Sequence, residues 1–162
     1  MFVMASRRTC LLLAAATLFS GVLAGGLFDR AMVAAPAWRA LGAAAWAQFS
    51  RRADLGFGIV AYPVEGVGAA LFALAAAVSF NFDRSPARTA LLPLYLAAAF
   101  ALAGLAFTVK AAPIMLGIGD APSGLRTAYD EFAFWGVQLR GWADCLAFGA
   151  EIWAFSILAR KP

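Results

Sequence analysis

Read only for its hydrophobic and polar positions, the chain is a succession of long apolar runs separated by stretches where charge collects. Cys10 to Phe28 carries no charge and follows Arg7 and Arg8; at about 1.5 Å per residue it covers nearly the whole hydrocarbon core of a bilayer. Leu55 to Phe80 is a second run with one charge, Glu65, and Thr89 to Val109 is a third with none, Pro93 near its start and Lys110 at its close. A fourth, from Phe132 to Leu158, is long enough to span, yet Arg140, Asp144 and Glu151 lie inside it. The pattern predicts membrane spans over 10–28, 55–80, 89–109 and 132–158 within a single membrane domain over 1–162.

The connections are less uniform. Between the first two runs, Trp38, Leu41, Ala45 and Phe49 recur at helical spacing and form one apolar stripe. That spacing predicts a helix over 31–52 lying at the membrane interface, with Pro36 in its first turns and Trp38 and Trp46 at headgroup depth. Anchorage is its plain role; a lid gating a lateral entrance is the sharper one. Asn81 to Arg88 reads as a short polar turn, and Ala111 to Tyr129, with Pro113 and Pro122, as an external loop. The expected fold class is therefore all-α: an integral membrane four-helix bundle with an additional interfacial helix between the first and second spans.

A basic start and an apolar stretch also suit a cleavable signal peptide, but the run continues through Leu27 and Phe28, which favours a retained span. Orientation is not decided by counting basic residues. Arg7, Arg8, Arg84, Arg88, Arg160 and Lys161 on one side face Arg30, Arg39, Arg51, Arg52, Lys110 and Arg126 on the other. The clusters close to the span ends favour cytoplasmic termini, in a bacterial inner membrane. Ala34-Ala35-Pro36 is echoed by Ala111-Ala112-Pro113, which duplication of a helix pair or chance would explain.

Composition sharpens this picture. The chain is 64% hydrophobic with a mean hydropathy of +0.80, too apolar for an ordinary soluble domain. Its net charge of +4 contains no basic run longer than two residues, so it fits juxtamembrane arginines and no nucleic-acid partner. Histidine is absent, which removes the commonest metal ligand and the usual general base. No metal and no cofactor are expected, and proton chemistry falls to carboxylates, Tyr, Lys or Cys. Cys10 and Cys145 sit in separate apolar runs and read as free, buried thiols.

The candidate chemistry lies in the spans. Taking about 100° per residue, Asp144 lies about 40° and Glu151 about 20° from Arg140, while Trp135, Trp142 and Trp153 fall about 200° to 220° away. One face of the last helix is ionic and the other aromatic. Glu65 lies about 3 Å from the centre of its span at 1.5 Å per residue, where an unpartnered carboxylate costs about 2.5 kcal/mol or more. Tyr62 is one turn before it on the same face, and Pro63, Gly66 and Gly68 loosen the helix around it. Glu65 is expected to face the ionic side of the last helix, at the depth of Asp144. Three acids against one arginine leave an excess of negative charge, so at least one carboxyl should stay protonated.

The segments GGLFDRAMVAAPAW after the first span and FWGVQLRGWAD at the opening of the last resemble the anthrone-oxygenase-like family of four-helix membrane proteins. The resemblance covers the whole chain as an arrangement of spans, and Trp135 and Arg140 match aromatic and basic positions of the family's last helix. It implies cofactor-independent oxygenation of a lipophilic aromatic such as a polyketide anthrone. In that reading Glu65 or Asp144 removes a proton and Arg140 stabilises the anion, with Tyr62, Trp38, Trp46 and Glu151 about the substrate. Two other readings stand beside it: the acids relay protons or bind a cation in transport, or they lock the helices together in a structural or accessory subunit. The partners expected are membrane lipid, a lipophilic aromatic molecule, and a second copy or a membrane partner subunit.

Overall fold

The computed structural model describes residues 6–83, 88–118 and 122–159, and every regular element among them is helical. Helix α1 covers Arg7–Asp29 and is opened by Ser6, whose hydroxyl accepts from the Thr9 amide at 3.2 Å. This is the side-chain cap that an orphan amide of the first turn requires. A π-helical turn, Arg30–Ala34, leads into α2, Ala35–Leu41, and α3 follows at Ala43–Arg52. A second π-helical turn, Ala53–Phe57, joins α3 to α4, Gly58–Asn81. Helix α5 spans Leu91–Leu116 after a short 3₁₀ turn, and α6 covers Pro122–Phe132. A third π-helical turn, Ala133–Leu139, precedes α7, Arg140–Leu158.

The long helices α1, α4, α5 and α7 pack in a ring, α1 against α4 and α7, and α5 against the same two. Neighbours run antiparallel. Thr9 at the start of α1 donates to Ser79 at the end of α4, and Asn81 at the end of α4 donates to Tyr95 at the start of α5. Much of the shared core is alanine: Ala16, Ala73, Ala76, Ala101, Ala147 and Ala154 are all buried there. Small side chains let helix backbones approach closely, so van der Waals contact along the seams replaces interlocking of large residues. At the other end α2, α3 and α6 form a cap. Trp46 of α3 is fully buried against Tyr129 and Phe132 of α6, with ring centroids 5.6 and 5.5 Å away.

Three helical runs, Arg7–Leu41, Ala43–Asn81 and Arg88–Leu116, are long and apolar enough to cross a membrane. The expected fourth span is a long helix too, but its interior charges set it apart from those three.

The connections differ most from expectation. The segment 31–52 is not one helix with one stripe. Gly42 takes φ +96°, the only positive φ among the described residues, and ends α2 there. A wheel drawn through that break loses its phase: Leu41 is 74% exposed while Trp38 is 5% exposed, and Trp46, off the expected stripe, is the most enclosed of all. The two tryptophans are thus packed inside protein rather than presented on an outward stripe. The expected loop over 111–129 is also helical in large part, because α5 carries on to Leu116 with Pro113 in its last turns, and α6 follows. Pro113 removes one bond of the ladder, and α5 ends three residues beyond it at Leu116. Of the basic residues bearing on orientation, Arg84, Arg160 and Lys161 lie outside the described residues.

Candidate functional site

Helix α7 turns its charges inward. Arg140, Asp144 and Glu151 are buried, whereas Trp142 and Trp153 on the other side are 70% and 46% exposed. The three charges do not form one cluster, however. Arg140 Nε lies 3.5 Å from Asp144 Oδ2, an ion pair at the long limit of hydrogen bonding. Asp144 is pressed against α5 at Gly104, where a methyl group would collide with Asp144 Oδ1. Glu151 sits farther along α7 with no exposed surface, and its Oε1 accepts a 2.9 Å hydrogen bond from Ser20 of α1. These contacts tie α7 to its two neighbours, one acid to each.

Glu65 is partly buried on α4 and faces a different set of groups. It lines a cavity of about 240 Å³ with Arg30, Tyr62 and Arg140, closed on one side by Leu23 and Leu27 of α1 and capped by Phe49 of α3. Glu65 thus shares a cavity with Arg140, as its inward orientation leads one to expect, but neither Asp144 nor Glu151 lines it. Both are held by the packing contacts just described, which draw them to the α5 and α1 seams.

The centre of the site is a residue the sequence leaves in a connection. Arg30, in the π-helical turn after α1, donates through Nη2 to Asp54 Oδ1 at 2.5 Å and to the Tyr62 hydroxyl at 2.7 Å. Its guanidinium carbon also lies 5.9 Å from the Trp38 ring centroid, within cation–π range. Trp38 in turn packs on Phe49 at 5.2 Å between centroids. Trp38 therefore positions Arg30, while Trp46, enclosed against α6, lines neither cavity. Asp54 is 5% exposed and its second oxygen, Oδ2, has no hydrogen-bond partner. Arg30 and Asp54 stand at the two ends of the α2–α3 excursion, and no local spacing connects them. The available signal was their position, one just after an apolar run and the other just before the next.

A second cavity, of about 280 Å³, meets the first at Arg30, Tyr62 and Arg140, which line both. It occupies the seam between α4 and α5 and is walled mainly by apolar groups, Ile59 and Pro63 from α4 and Ala112, Met115 and Leu116 from α5. The Tyr62 ring borders both spaces. It lies back over Gly58, where a methyl group would come within 2.7 Å of the ring. Two guanidiniums and one phenol thus meet at a junction between a chamber lined by two carboxylates, Asp29 and Glu65, and a more apolar one with Asp54 at its edge. Such a junction can hold an oxygen atom and stabilise negative charge developing on it. Among the described residues, no three His, Cys, Asp or Glu side chains converge as a metal site would need, and Cys10 and Cys145 are free.

Comparisons of the chain with protein-family models, curated proteins and solved structures give no match. Its function is therefore read from the chemistry of this site.

Proposed function

We propose that the chain is a four-span integral membrane protein that binds a neutral lipophilic aromatic molecule at the two-arginine junction, removes a proton from it and exposes the anion to oxygen. The observation that carries this reading is the meeting of Arg30, Arg140 and Tyr62 with Glu65 around one partly open cavity. Membrane placement is supported by the outward faces, where Leu18, Val22, Val60, Leu71, Val78 and Leu102 are all exposed. Continuous apolar surface of that kind needs lipid against it. Helix α7 crosses with the others because its charges are turned inward, Arg140 beside Asp144 and Glu151 onto the Ser20 hydroxyl, which lowers the cost of carrying them through a bilayer. Arg7 and Arg8 in the first turn of α1 favour cytoplasmic termini.

Charge balance favours a ligand that arrives neutral. Arg30 and Arg140 are already offset by Asp54 and Asp144, and Glu65 and Asp29 add two further acids to the cavity lining. A preformed anion would raise the excess of negative charge in a partly enclosed space. A phenol, enol or anthrone avoids this, since its proton passes to Glu65 and the total is unchanged while the new anion sits between the guanidiniums. For an anthrone, the carbanion then combines with O₂ and loss of water leaves the ketone, so that one CH₂ becomes C=O and O₂ is consumed with formation of one H₂O. This accounts for the resemblance to anthrone oxygenases without a metal or cofactor. A structural role is favoured for Asp144 and Glu151, which tie α7 to α5 and α1.

The test is oxygen uptake by the detergent-purified protein with an anthrone. Glu65→Gln keeps the shape of the side chain and should lower turnover by about 10²-fold or more. Arg140→Lys, which keeps charge but not the planar fork, should lower it too. Uptake that persists undiminished in Glu65→Gln would remove Glu65 as the base.

A further inference from the structure

The α4/α5 cavity is larger than a ring bound at the junction requires, and its lining differs in kind from that of its neighbour. Its walls away from the junction are mostly aliphatic. Thr108 adds no polarity there, because its hydroxyl is spent on the Gly104 carbonyl at 2.9 Å. The polar groups, Arg30, Asp54, Tyr62 and Arg140, all belong to the end shared with the Glu65 chamber or next to it. At the other end Ile59 is 53% and Leu116 64% exposed. In a membrane-spanning bundle those two residues face lipid, so the cavity opens sideways into acyl chains. Each cavity alone falls below the about 300–1,000 Å³ usual for pockets that enclose a drug-sized ligand, whereas the two volumes taken together fall within it.

From this geometry, and resting on the reading of the junction as a site for a neutral phenol, we infer that the α4/α5 cavity is a tail subsite. It takes the alkyl chain of a membrane-soluble phenol whose ring lies at the junction, beside Arg30, Tyr62 and Arg140, and whose hydroxyl points to Glu65, so that a para chain runs from the far end of the ring into the slot. The ligand class is then an amphiphile, an acidic aromatic head with an aliphatic tail, entering from the bilayer between α4 and α5. A flexible chain suits a slot lined by Ile59, Met115 and Leu116 better than a rigid fused ring does, because methionine and branched aliphatic walls adapt to a chain of variable path. Tyr62 acts as the collar through which head and tail are joined.

The experiment is equilibrium binding of 4-methylphenol and 4-pentylphenol to the full-length protein at one fixed detergent concentration, so that partition into micelles cancels between wild type and variant. Ala112→Phe fills the slot from α5, and Ile59→Trp fills it from α4. Each variant should bind 4-methylphenol as the wild type does and bind 4-pentylphenol about tenfold or more weakly, since about fourfold in affinity is lost for each methylene kept out of an apolar site. Equal binding of 4-pentylphenol by wild type and by whichever variants fold would overturn the tail subsite. So would an equal loss for both phenols. Failure of the wild type to bind either phenol would instead sink the reading of the junction, and this proposal with it.

Discussion

Arg30 offers one nitrogen, Nη2, to both Asp54 and Tyr62, and its side chain is only 12% exposed. Its pair therefore joins the end of the first long helix to the start of the second at a point where water has limited access. Two buried opposite charges need not stabilise a fold more than a well-packed apolar pair would, but removing one leaves the other stranded. Arg30→Gln should accordingly lower stability by about 3–5 kcal/mol, seen as a fall in the midpoint of thermal unfolding in detergent. The double change Arg30→Met with Asp54→Leu should recover most of that loss while abolishing phenol binding. If Arg30→Gln unfolds at the wild-type temperature, the pair does not anchor the cap. Nothing in the sequence couples these two residues, which are separated by 24 positions. Glu65 and Arg140 are legible by contrast, because a charge within an apolar run stands out against its neighbours.

Among the elements, α7 is the one whose faces the sequence defines best. Arg140, Asp144 and Glu151 belong to one uninterrupted helix, so the angle between them is set by helical geometry alone. The failures occur where helical phase slips. Gly42 breaks the wheel between α2 and α3, and the π-helical turns Ala53–Phe57 and Ala133–Leu139 change the number of residues per turn before α4 and α7. Partner helices cannot be assigned from a wheel either, and so the attachment of Asp144 to α5 was not legible although its inward direction was. Glycine at 104 makes that attachment possible. Gly104→Ala should displace the Asp144 carboxylate and destabilise the α5/α7 seam by about 1–3 kcal/mol, the usual cost of overpacking. Adding Asp144→Ala to it should cost less than the two changes taken separately, and additivity in a double-mutant cycle would show that the two positions do not touch.

At the level of the molecule, the arrangement of tryptophans provides a test of the proposed membrane placement. Trp142 is 70% exposed on the outer face of α7, while Trp46 is sealed in the cap. In vesicles containing brominated lipid, a variant retaining only Trp142 should be strongly quenched and one retaining only Trp46 hardly at all. The opposite order would contradict both the membrane placement of α7 and the packing of the cap. The long apolar helices that set up this experiment were readable from run length, whereas the cap was not, since its stability comes from contacts between α3 and α6 that lie far apart in sequence.

The alanine-lined core and the two-arginine junction occupy opposite halves of the molecule, and they constrain substitution differently. Around Ala16, Ala73, Ala76 and Ala147 the limit is volume, so serine or glycine passes where leucine does not, whatever the charge elsewhere. Around Arg30, Tyr62, Glu65 and Arg140 the limit is charge and hydrogen-bond geometry, and changes of size into the cavities are absorbed. On the proposed function, variants that alter which molecule is accepted arise in the half nearest the cap, and the remaining half serves as a scaffold of fixed spacing on which that chemistry can be exchanged.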